Sequence, residues 1–178
     1  MCKGLECLSV TCLERAKVLK SLFGNLLHRP DLSIMGHSHK SEKTRVNMDE
    51  PTKWRESFDN LLSSQHGQCS FRAFLVSEFS EENLGFYLAC EEYRDTKESK
   101  LSVKAKKIYD KFICCDAPRE VNLDHETRSI TKTNLEHPTP SCFDLAQEKI
   151  YTLMEKDCYP RYLKSPSYLE LTRQVRAG

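Results

Sequence analysis

From Trp54 onward the apolar residues recur with a period near 3.6. Ala105, Ile108, Tyr109, Phe112 and Ile113 fall on one side of a helix, with Ser102 placed to cap its start. Phe71, Phe74, Leu75 and Phe79 repeat the spacing. Ser80 then predicts the start of a new helix whose first turn carries Glu81 and Glu82, where the helix dipole favours anions. That helix is apolar on two sides, with Leu84, Tyr87 and Leu88 on one and Phe86, Cys90 and Tyr93 on the other, which predicts deep burial. Gly85 within it costs about 1 kcal/mol relative to Ala unless close packing requires the missing side chain. Phe143, Ala146, Ile150, Leu153 and Met154 define a further long helix that opens near Ser141 and reaches Asp157, where Pro160 disrupts or ends it. Pro118, Pro138, Pro140 and Pro166 mark the other joints. No run alternates with the two-residue period of a strand, and the pattern predicts an all-α fold.

The first 30 residues carry a separate signal. Leu5, Leu8, Cys12, Leu19, Leu22, Phe23, Leu26 and Leu27 cluster on one helical face, with Arg15, Lys17 and Lys20 toward its edges. This amphipathic segment is suited to an acidic phospholipid surface, each basic residue near anionic lipid gaining about 1 kcal/mol. The alternative is a helix packed on its own domain or on a partner. Between Pro30 and Asp49, Ser, His and Lys dominate and apolar anchors are few, so too little surface can be buried to offset ordering. The expected organisation is an N-terminal membrane-targeting segment over 1–30, a flexible linker over 31–50 and a folded domain over 51–178.

Charge and composition narrow the function. The 27 Lys and Arg against 26 Asp and Glu leave a net charge of +1, which excludes a strongly basic, nucleic-acid-coating protein. The uncharged apolar stretches are far shorter than the ~20 residues that span a bilayer. Glu6 and Glu14 flank the N-terminal apolar run, which makes a poor secretory signal. Nine cysteines are an odd number without paired spacing in a chain long enough to build a core, which suits reduced cytosolic thiols.

Enzyme motifs are largely missing. There is no glycine-rich phosphate loop, no H-E-x-x-H and no C-x-x-C, and Lys40 replaces the closing glycine of a nucleophile elbow at Gly36-His37-Ser38. Cys114 or Cys115 could in principle serve as a nucleophile, although a spectator thiol at a helix end is the commoner case. What remains is a set of polar residues expected to be exposed at helix ends: Glu81, Glu82 and Asn83, then Asn122 and Asp124 in a loop after Pro118, then Asp157 and Arg161 on either side of Pro160. Capping, turn formation and a local ion pair would explain each of them.

Four strings change that reading. Ser77-Glu-Phe-Ser-Glu-Glu-Asn-Leu84, Ala117-Pro-Arg-Glu-Val-Asn-Leu-Asp124, Cys142-Phe-Asp-Leu-Ala-Gln147 and Leu153-Met-Glu-Lys-Asp157, in this order, closely resemble the regulators of G-protein signalling. The likeness runs from about Trp54 to Leu171. Met1-Cys2-Lys3-Gly4-Leu5 and Cys12-Leu-Glu-Arg-Ala-Lys17 are similar to the small members with an amphipathic N-terminal helix. The resemblance implies a nine-helix domain and a GTPase-activating protein for Gα subunits of the inhibitory and q classes, one that contributes no chemistry of its own and needs no cofactor or metal.

By the same resemblance, Asn122 would sit beside the Gα glutamine and attacking water, and Glu82 and Asn83 would grip the switch segments. Asp157 would accept from a switch amide with Arg161 fixing its rotamer. Leu153 would give apolar contact, and Phe79, Ser80 and Asp124 would form the rim. Cys158 stands where the family usually has Ser or Asn, Gly85 replaces a usual acidic residue and Tyr87 a usual Trp. The family also implies palmitoylation at Cys2 and Cys12, with Cys7 and Cys90 as further acceptors, and a monomer at the inner face of the plasma membrane. Receptors and calmodulin are further partners it admits, although the basic pair tied to calmodulin and acidic lipid is broken here, where Asp95 follows Arg94.

Overall fold

The computed structural model describes residues 50–177, and within them every regular element is helical. The amphipathic segment, most of the linker, Cys2, Cys7, Cys12, Arg15, Lys17 and Lys20 lie outside the described residues. Glu50, expected as the last linker residue, is already helical, and its carboxylate accepts from Ser64 Oγ. The chain divides into two compact units, one formed by residues 50–76 with 166–177 and the other by 77–165.

In the first unit, short helices α1 (Glu50–Lys53) and α2 (Phe58–Ser63) lead into α3 (Gln65–Ser77), and α9 (Pro166–Ala177) closes it. Ser57 caps α2 by accepting from the Asn60 amide at 3.0 Å. Trp54, Phe58, Leu61, Phe71 and Leu75 are buried, with the rings of Phe58 and Phe71 edge to face at 5.5 Å. Tyr168 of α9 donates to the Pro51 carbonyl at 2.9 Å. At Gly67 a Cβ would run into the Leu61 carbonyl, so the close approach of α3 to the end of α2 requires glycine.

The second unit contains α4 (Glu81–Arg94), α5 (Glu98–Phe112), α6 (His125–Asn134) and α7 (Asp144–Leu153). The helix of α7 continues through a π-helical turn (Met154–Cys158) into α8 (Tyr159–Tyr162). α4 packs against both α5 and α7, and α7 also against α6. Phe86 meets Phe112 at 5.7 Å and Phe143 at 6.4 Å, while Tyr93 meets Phe143 at 5.1 Å and donates to the Thr139 carbonyl at 2.9 Å. Each such aromatic pair is worth about 0.5–1.5 kcal/mol beyond burial.

Several sequence expectations shift by a turn. Ser102 lies inside α5, because Leu101 belongs to the same buried stripe as Ala105 and Ile108 and the helix must begin before it. Phe79 does not continue the face of Phe71 and Phe74. It sits beyond the end of α3 at φ 56° and is 66 % exposed. α4 does start after Ser80, but the Ser80 hydroxyl makes no capping bond and has no partner among the described residues. Of the two apolar sides of α4, Phe86, Cys90 and Tyr93 are fully buried with Leu84, whereas Tyr87 and Leu88 are half-buried.

Pro160 does not end its helix. In a continuous α-helix its ring would clash with the carbonyl four residues back. The π turn widens the backbone there, the Tyr159 amide reaching the Met154 carbonyl, and the helix resumes to Tyr162.

Candidate functional site

The polar residues singled out in the sequence come from three segments of the second unit: the turn before α4 with its first helical turn, the loop after α5, and the α7–π–α8 helix. Ion pairs join these segments in a ring. Arg161 on α8 contacts Glu78 before α4. Glu81 in the first turn of α4 pairs with Arg119 in the loop at 3.2 Å. Asp124 at the loop's end lies 3.8 Å from Lys149 on α7. From Lys149 the helix leads back through Leu153 and Asp157 to Arg161, at successive four-residue steps.

The loop is built to present Asn122. Val121 is 1 % and Leu123 7 % exposed, so the two neighbours turn inward and Asn122 between them faces solvent. The backbone is tied to the end of α5, with the Val121 amide donating to the Phe112 carbonyl at 2.9 Å and the Arg119 amide to Lys111 at 3.1 Å. Arg128 donates to the Ile113 carbonyl and pairs with Glu120 at 2.9 Å, and Glu120 also accepts from the Asp116 amide at 3.2 Å. That last contact supports Asp116 at φ 61°, a conformation costly outside glycine. Downstream, Asp124 caps α6, accepting from the Thr127 amide and hydroxyl, each at 2.8 Å. These bonds, the backbone one foremost, hold the Asp124 carboxyl below its ordinary pKa.

Asp157 lies in the π turn with its carboxylate exposed. Arg161 donates to both oxygens, Nη2 to Oδ2 at 2.9 Å and Nε to Oδ1 at 3.3 Å, and this pairing lowers the Asp157 pKa. The guanidinium in turn has its pKa raised, chiefly by Asp157. Cys158 beside it is 3 % exposed, and its thiol faces Asp157 Oδ2 at 3.9 Å. Asn83, expected among exposed polar residues, is only 6 % exposed, whereas Glu82 and Leu153 are half-buried.

A family profile described as "Regulator of G protein signaling domain" matches residues 57–171. Regulator of G-protein signaling 16 from Mus musculus is 50 % identical over 185 aligned residues, covering 99 % of this chain and 92 % of that protein. The Homo sapiens protein of the same name is 48 % identical, covering 100 % and 93 %. Regulator of G-protein signaling 5 from Sus scrofa is 48 % identical, covering 97 % and 100 %.

The chain belongs to the regulators of G-protein signalling.

In this regulator Glu78, Arg119 and Lys149, which tie the ring together, were not singled out in the sequence. Their partners are remote along the chain, and only the four-residue series 149, 153, 157, 161 offered a signal. Arg94 is engaged within the domain. It donates to Glu91 and Asp144, each at 3.0 Å, and to Gln147 at 2.8 Å, so it fastens α4 to α7. Cys90, expected as an acylation site, is 2 % exposed, and burial pushes its thiol pKa up. Among the described residues no three His, Cys, Asp or Glu side chains converge as a metal site would, and no helix is long and apolar enough to cross a membrane.

Proposed function

We propose that this chain is a GTPase-activating protein for Gα subunits, of the inhibitory and q classes, that damps receptor signalling. The observation that carries the reading is Asn122, held outward on a loop anchored at both ends, within a domain of this family. A Gα subunit supplies its own arginine finger and still turns over GTP at only ~10⁻² s⁻¹. What it lacks is a fixed arrangement of its mobile switch segments. A carboxamide, both donor and acceptor, can orient the Gα glutamine and the attacking water without adding charge.

Asp157, its rotamer set by Arg161, accepts from a switch amide. Glu82 and Leu153 grip the switches, with Asn83, only 6 % exposed, acting from behind Glu82, and Phe79, Ser80 and Asp124 form the rim. Cys158, being buried, acts through Asp157 rather than by touching Gα. Acceleration follows only where this surface binds the transition state more tightly than the GTP-bound ground state. The regulator therefore supplies no reacting group. The N-terminal segment, with Arg15, Lys17 and Lys20 on acidic lipid and acyl chains on Cys2 and Cys12, brings it to the inner membrane face.

Binding to Gα loaded with GDP and aluminium fluoride, a mimic of the transferring phosphoryl group, tests this. The chain should bind that state more tightly than Gα carrying a non-hydrolysable GTP analogue. Equal affinity for the two would leave a binding module without activating power.

A further inference from the structure

Resting on the reading of Asn122 above, we infer that Arg119 is the positioning residue for the Asn122 loop, and that Glu81 and the bare backbone of Gly85 together form its seat on α4. Arg119 lies three residues before Asn122. Its amide is fastened to the Lys111 carbonyl at the end of α5, and its side chain crosses to α4, where Nη2 pairs with Glu81 Oε1 at 3.2 Å. The guanidinium passes over Gly85. A Cβ built there would stand 3.6 Å from Arg119 Nη2 and 3.8 Å from Cζ, with Phe112 Cε1 at 3.7 Å.

Glu81 and Gly85 are one helical turn apart, so they share a face of α4. A carboxylate at 85 would therefore meet the same guanidinium that Glu81 now holds alone. Beyond its amide bonds to α5 and the Glu120–Arg128 pair, the loop is held upstream to α4 by this half-exposed ion pair, and downstream by the Asp124 cap and Lys149. The upstream anchor sets how narrowly Asn122 is held, and Gly85 leaves it weaker than the seat allows.

The full chain and the variants R119Q, R119K, E81Q and E81Q/G85D are compared in single-turnover hydrolysis of GTP preloaded on an inhibitory-class Gα. R119Q and E81Q should each lower the maximal acceleration, at saturating regulator, by about three- to fivefold, the size of one partly exposed ion pair. Melting temperature should fall by no more than a few degrees, as expected for one partly exposed ion pair. R119K should restore much of the loss, and E81Q/G85D should restore it by supplying the second carboxylate. A maximal rate unchanged in R119Q, or a double variant no better than E81Q, overturns the inference.

Amide hydrogen exchange over residues 119–123, measured without Gα, gives a second readout. Exchange should quicken in R119Q and E81Q and slow again in E81Q/G85D, and unchanged exchange overturns the inference on its own. A wild type that fails to accelerate hydrolysis would sink the proposed function, while exchange would still decide the positioning of the loop.

Discussion

Arg161 holds Asp157 by both carboxylate oxygens and reaches Glu78 with its remaining nitrogen, so the π turn and the turn before α4 are joined through one guanidinium. A planar fork of donors suits this arrangement where a lysine would not. The exposed Asp157 carboxylate is thereby fixed in direction while staying open on its solvent side.

Asp157 should consequently titrate below its ordinary value of 3.8, because Arg161 favours the charged form. The pair's contribution is then complete above that ordinary value and is lost as pH falls through the depressed one. In Arg161→Ala the titration should return upward and Gα binding should weaken. Carboxyl NMR of Asp157 in both proteins checks the first point; a titration that does not move would show that Arg161 does not hold it.

The Asp124 cap has the same sign. Its carboxyl is depressed by accepting from Thr127, so the stabilisation is present at neutral pH and fades as pH drops below the usual carboxylate range. Asp124→Ala should melt below wild type at pH 7, with the gap closing near pH 3. A gap independent of pH would mean the loss is one of packing.

The two glycines should respond in opposite directions. Gly67→Ala drives a Cβ into the Leu61 carbonyl and should destabilise by about 1–3 kcal/mol. Gly85→Ala meets only ordinary contacts in a helix interior and should stabilise by roughly 0.5–1 kcal/mol. Thermal melts of the two variants decide it.

How far the sequence reveals these features depends on whether a feature is local. The Ala105–Ile113 stripe and the burial of Phe86 and Tyr93 follow from spacing alone, whereas Leu101, one turn earlier, extends the stripe only in the structure. Pro160 misleads only in part: it disrupts the regular helix, as expected, but through a π turn that leaves no periodic trace and lets the helix resume rather than end. Phe79 misleads in the other direction. It matches the helical spacing, yet its left-handed backbone turns it to solvent. Asn122 and Asp157 stand out only through the strings around them, since capping and turns call for the same residue types. The Glu81–Arg119 and Glu78–Arg161 pairs join segments remote in sequence, and only the fold brings them together.

Thiol reactivity should follow burial. Cys69 and Cys115 are exposed, whereas Cys90, Cys142 and Cys158 are buried, and burial pushes Cys142 up to about 11. A thiolate-directed reagent at neutral pH should label Cys69 and Cys115 in the native protein and reach the buried three only after unfolding. Mass spectrometry of the labelled chain reads this directly, and rapid native labelling of Cys90 would show that α4 opens readily enough for acylation there.

The central claim is that an outward, doubly anchored Asn122 accelerates hydrolysis on Gα. Single-turnover release of phosphate from GTP preloaded on an inhibitory-class Gα tests it most directly, comparing the chain with its Asn122→Ala variant at matched melting temperature. Strong acceleration is expected from the wild type and a loss of about tenfold or more in the variant, with no change in stability because the side chain is exposed. Equal acceleration by the two proteins would contradict it.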